Sequence, residues 1–143
     1  MFTQLSIQAI PGPLNDWSPS LITVYRAADE HGFIPSPQSL PISAVDESLQ
    51  TAVQTGVGYL ISDAASNNCV VDAVTILPAA YHVEGIWDRT DPDHPVFSET
   101  VRRKQYSVSV TRHQGDNSGT ITFSTESLPS TVRDAWLSVL ASF

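Results

Sequence analysis

The sequence predicts an α+β domain: an antiparallel, β-rich sheet of about six or seven strands, packed by a C-terminal amphipathic helix and one short internal helix. Three observations carry this. QYSVSVTR (105–112) alternates apolar and polar residues with the period of a half-buried strand. GDNSG (115–119) then supplies turn chemistry before TITFS (120–124), which makes a hairpin. Finally, Leu128, Val132, Ala135, Trp136, Val139, Leu140 and Phe143 recur at helical steps and form a wide apolar stripe. Such a stripe must be covered, and a twisted antiparallel sheet is the surface that covers it.

Taken in order, Leu5, Ile7 and Ala9 alternate with polar residues and predict a first strand, stopped by Pro11 and Pro13. LITVYRA (21–27) predicts a second. Residues 10–20 and 31–42 are proline-rich and predict extended arm or connecting segments. Ser43 with Asp46 opens a helix signal, continued by Val45, Leu49, Ala52 and Val53 at helical spacing. Gly56 is placed to end that helix after about three turns. VGYLIS (57–62) and CVVDAVTI (69–76) then predict strands separated by the turn-formers DAASNN. LPAA interrupts, and AYHVEGIW (80–87) predicts a further strand. Ser127 or Ser130 is the expected cap of the last helix, with Pro129 tolerated in its first turn. No internal repeat or composition shift divides the chain, so residues 1–143 predict one domain.

Composition narrows the function classes. A chain of 143 residues with 41 % hydrophobic content can bury a real core. Its formal net charge of −8 argues against nucleic acid as a partner, since displacing phosphate counterions needs positive charge. It argues equally against docking on anionic membrane surfaces. The single Cys69 excludes an internal disulfide and a multi-cysteine zinc site. MFTQLSIQAIPGP lacks the basic n-region of a signal peptide, and no apolar run approaches ~18 residues. The expectation is a soluble protein made in the cytoplasm.

DRTDPDHPVF (88–97) is the stretch that most resembles chemistry. Counted as a calcium loop from Asp88 it reaches Glu99 at the twelfth position, but Asp93 stands where glycine is required and Pro92 sits among the ligands. Asp91, Asp93 and His94 lack a second histidine nearby, and the Asp-Pro and His-Pro steps favour turns, so the stretch predicts a loop. His82 and Glu84, two apart on a strand, share a face and predict either an acid–base pair or a solvated sheet surface, with the second favoured. Asp72 interrupts the apolar face of Val70, Val74 and Ile76, which predicts an edge position or a capped contact. Cys69 predicts an inert core thiol. GVG at 56–58 lacks the third glycine of a dinucleotide loop, and no phosphate-loop lysine, nucleophile elbow or H-E-x-x-H is present. No residue is therefore singled out as catalytic, cofactor-binding or metal-binding.

The expected function is a non-catalytic structural subunit of a larger assembly, most simply a phage virion component such as a capsid-decoration, neck or tail protein. Its partners would be copies of itself or virion neighbours. The candidate interface residues are Leu14 and Trp17, aromatic and apolar anchors between prolines, and the basic cluster Arg102, Arg103 and Lys104. The alternative is an acidic immunity or inhibitor protein that binds a basic toxin such as a nuclease. An enzyme of unknown class ranks third.

Overall fold

The computed structural model describes residues 2–8 and 19–143. Among these described residues, six strands form one antiparallel sheet in the order β3-β2-β1-β4-β5-β6. They are β1 (Phe2–Gln8), β2 (Leu21–Arg26), β3 (Gln38–Pro41), β4 (Val70–Asp88), β5 (Val96–Gln114) and β6 (Asn117–Ser124). Two helices, α1 (Glu47–Ser66) and α2 (Ser130–Ala141), complete the α+β domain.

Alternation sorts the sheet into two unlike faces. Leu5, Ile7, Ile22, Val24, Val74, Ile76, Val108 and Val110 are all buried against the helices. On the opposite face one register row crosses all six strands as Ser39, Thr23, Ser6, Thr75, Ser109 and Thr122. Adjacent hydroxyls hydrogen-bond along it, Thr23 to Ser39 at 3.1 Å and Ser109 to Thr122 at 3.0 Å. The β5–β6 hairpin turns on Gly115–Asp116, and Gly115 takes a φ of 57°, which a tight hairpin turn tolerates best from glycine.

The internal helix corrects the sequence expectation. It does not stop at Gly56; α1 runs for 20 residues and absorbs VGYLIS, expected as a strand, together with most of the expected loop DAASNN. The apolar stripe of Leu49, Val53, Gly56, Val57, Leu60 and Ala64 carries it across the sheet. Gly56 is no cap. It is the notch into which Trp136 of α2 packs: a Cβ added there would lie 2.5 Å from Trp136 Cε2. The true stop is Asn68, whose φ of 58° is left-handed. Backbone N–H groups of Asn68 and Cys69 donate to the carbonyls of Ala65 and Ala64, the paired bonds of a Schellman ending.

Three smaller differences from expectation lie at a helix cap and in the strands. Neither Ser127 nor Ser130 caps α2; Pro129 occupies its N-cap with no side-chain bond, and Ser124 instead caps the short 3-10 turn at Thr125–Ser127. LPAA does not break the strand either. A bulge between Pro78 and Tyr81 absorbs the extra residue, and β4 continues to Asp88. The β5 strand likewise begins at Val96, well before the expected 105.

Candidate functional site

The joined strands make the most distinctive feature of the molecule. β1 pairs with β4 only from Val74 to Ile76, and β6 pairs with β5 only from Ser107 onward. Among the described residues, the stretches from Tyr81 to Asp88 and from Val96 to Lys104 pair only with each other. At about 3.3 Å per residue, this two-stranded arm extends roughly 25 Å beyond the sheet.

A hairpin of this kind is marginal in water without cross-strand support. Trp87 opposes Phe97, with ring centroids 5.1 Å apart. Gly85 leaves room for the Phe97 ring, whose Cζ would stand 2.5 Å from any Cβ at that position. Arg89 stacks over Trp87 at 5.5 Å, and Arg102 over Tyr81 at 5.3 Å. Thr100, at a second bulge, donates its hydroxyl to the Glu84 carbonyl at 3.2 Å.

Six apolar side chains on this arm nevertheless face solvent. Tyr81, Val83, Ile86, Trp87, Val96 and Phe97 are between 38 % and 67 % exposed. Tyr81, Val83, Trp87 and Phe97 lie on the side that continues the buried face of the sheet, past the end of α2 where no helix covers it. Scattered surface hydrophobes are ordinary, whereas these lie clustered in a row on a projecting ribbon.

The tip between the strands holds part of the loop expected over 88–97: residues 89–95 form it, whereas Asp88 ends β4 and Val96 and Phe97 already belong to β5. Asp88 Oδ1 accepts from the Thr90 backbone N–H at 2.9 Å and from its hydroxyl at 2.6 Å, and these bonds hold the Asp88 carboxyl below its usual range. Asp91 accepts from the Asp93 N–H at 3.1 Å and pairs with His94 Nδ1 at 3.1 Å. Asp88 and Asp91 thus fold onto the loop's own backbone. Among the described residues, no group of three His, Cys, Asp or Glu side chains is arranged to hold a metal ion.

At the root of the arm the outer face carries an ionic cluster. Arg103 makes a bidentate pair with Glu126, at 2.7 and 2.8 Å, and stands 3.9 Å from Glu84. His82 bonds Glu84 at 2.9 Å and lies 3.6 Å from Glu126. The guanidinium beside Glu126 holds that carboxyl below its usual range; the bond from His82 does the same for Glu84. His82 and Glu84 do pair, within a network that pins the 3-10 turn at Thr125–Ser127 to the arm.

The basic cluster expected at an interface is therefore split. Arg102 is committed to Glu99, at 2.7 and 3.0 Å, and Arg103 to Glu126. Lys104 is exposed on the apolar side of the arm, with no ion pair among the described residues. Leu14 and Trp17 lie outside the described residues. Asp72 leaves the core because a bulge between Val71 and Ala73 turns it outward, where it meets His113 Nδ1 at 2.7 Å. Cys69 is partly buried, its thiol 3.4 Å from the Asn67 carbonyl.

Sequence reasoning missed Trp87, Phe97, Tyr81 and Val83 as a set. The available signal was AYHVEGIW and VF on either side of a short turn-rich loop, which is hairpin chemistry. No helix among the described residues is long and apolar enough to cross a membrane. Comparisons with protein-family models, with curated proteins and with solved structures gave no match.

Proposed function

We propose that the chain is a non-catalytic subunit of a larger protein assembly and that it docks through the β4–β5 arm. One observation carries the reading: an arm about 25 Å long presents Tyr81, Val83, Trp87 and Phe97 to solvent on its uncovered side. Exposed aromatics that already pack across the strands, as Trp87 does on Phe97, make good anchors, because less side-chain entropy is lost when they dock. A long projecting hairpin suits repeated subunits that clasp a neighbour, and the finer form of the proposal is a phage virion component. That finer form draws on the small strand-rich domain and the Ser/Thr row across its outer face rather than on the arm.

The acidic-inhibitor reading has less behind it. Of its carboxylates at 88–99, Asp88, Asp91 and Glu99 are bonded within the arm, to Thr90, His94 and Arg102, which leaves fewer of them free to meet a basic partner.

Sedimentation of extracts from cells that naturally make the protein tests the assembly reading. The chain should travel in a complex well above its own 15.5 kDa. A variant carrying Trp87→Ser and Phe97→Ser should fall back to the monomer position. A native chain that already sediments as a monomer would sink the proposal.

A further inference from the structure

At the root of the arm, where the buried face of the sheet emerges from beneath α2, lies an apolar groove of about 620 Å³. Phe2 stacks on Tyr106 with centroids 5.8 Å apart, and Leu137 and Phe143 join them in lining it. Lys104 and Arg103 also line it and are its two charged residues. We propose that this groove receives the aromatic tip of the β4–β5 arm of a second copy of the chain, so that copies join through one tip and one groove. The inference rests on the assembly reading above and names the partner surface.

Three features select that occupant. The groove is continuous with the apolar side of the arm through Tyr81, so both belong to one uncovered stripe. The molecule's own tip cannot fill it: Trp87 is six residues beyond Tyr81 on an extended strand, roughly 20 Å away. Charge matches as well. The tip, residues 88–95, sets three aspartates against one arginine, whereas the groove offers Lys104, which has no ion pair among the described residues; Arg103 is already committed to Glu126. On a chain of net charge −8, copies repel one another in general. A basic spot beside an apolar groove is where an acidic-rimmed aromatic tip of the same chain finds attraction. An interface between two unlike patches of one chain generates closed rings when its rotation closes and filaments when it does not.

The test uses purified full-length chain in sedimentation velocity across a concentration series, with two variants made entirely of exposed substitutions. The tip variant carries Trp87→Ser and Phe97→Ser; the groove variant carries Ala141→Glu and Lys104→Glu. Thermal melts near that of the native chain confirm that both variants fold. The native chain should associate with rising concentration, and each variant alone should associate on the order of 30-fold more weakly, the loss expected from an aromatic hot spot. Mixed in equal amounts, the two variants should form a discrete heterodimer, because one supplies an intact groove and the other an intact tip. Failure of the mixture to associate overturns the proposal, as does undiminished self-association of either variant. If the purified native chain is monomeric at every concentration yet sediments in a large complex from its native cells, the second-copy proposal falls while the assembly reading stands.

Discussion

Gly56 and Gly58 occupy the same helix, two residues apart, and substituting alanine at each should move stability in opposite directions. In a helix interior, alanine is favoured over glycine by about 0.8–1.0 kcal/mol. Gly58 is exposed and a Cβ there meets nothing within 4 Å, so Gly58→Ala should realise that gain. At Gly56 the new methyl would stand 2.5 Å from Trp136 Cε2 and 2.8 Å from both Cζ2 and Nε1. Ordinary contact starts near 3.5 Å, so indole and helix must separate by about 1 Å. Trp136 is fully buried between α1, α2 and the sheet and has nowhere to retreat. Overpacking of this kind costs about 1–3 kcal/mol, which outweighs the propensity gain at all but its lower limit. The net expectation for Gly56→Ala is a loss of up to about 2 kcal/mol. The unfolded-state terms are alike in the two variants, so their difference, about 1–3 kcal/mol, isolates the packing contribution. Thermal melts followed by circular dichroism should place the two variants some 2–12 °C apart, at about 2–4 °C per kcal/mol. Combining Gly56→Ala with Trp136→Phe should cost less than the sum of the single changes, since the smaller ring relieves the clash. If Gly56→Ala is as stable as Gly58→Ala, the account of Gly56 as a notch for Trp136 is wrong.

Two further predictions concern the arm's root and the end of α1. Glu126 has its folded-state pKa depressed by the Arg103 guanidinium, so its pairing stabilises the fold above the unfolded value near 4.3 and the benefit disappears as pH falls through the lower folded value. Glu126→Gln should therefore cost about 1 kcal/mol in urea denaturation at pH 7 and much less near pH 2; an undiminished cost in acid would show that the carboxylate's charge is not the source. Asn68 holds a left-handed φ of 58°, so Asn68→Ala should destabilise by about 1 kcal/mol while Asn68→Gly is neutral or slightly stabilising, and equal melts for the two would contradict a conformational origin.

The strands with an unambiguous period of two were legible: Val108 and Val110 lie buried while Ser107 and Ser109 face outward, as their alternation requires. The C-terminal helix was legible for the same reason, with Trp136, Val139 and Leu140 on its buried stripe. The internal helix was not, because glycine carries two physical meanings. At Gly56 it was read as backbone freedom and proved to be absent volume. The stripe through Val57, Leu60 and Ala64 continued past it, and that continuity was the better guide. Asn67 and Asn68, read as loop, contained the real stop signal. At Pro78 and Asp72 local rules met bulges, which let a strand absorb a residue without ending and turn a carboxylate out of the core.

The arm was illegible for a more general reason. Its strands carry Tyr81, Val83, Ile86 and Trp87 in a sequence that reads as any β-run, and apolar residues in such a run ordinarily imply a covering layer. Here α2 ends before it reaches them, and β1 and β6 stop pairing below them. Only the three-dimensional arrangement distinguishes a core strand from its uncovered continuation. A cross-strand pair such as Trp87–Phe97 contributes only about 0.2–1 kcal/mol to a hairpin, which explains the ribbon's shape but not its remaining exposed area. Val83, Ile86 and Val96 gain little from the fold by being apolar where they stand. An arm whose side chains are more apolar than its own stability requires is what the proposed docking to the groove of a second copy would explain, and loss of association in the Trp87→Ser, Phe97→Ser variant is the outcome that reading requires.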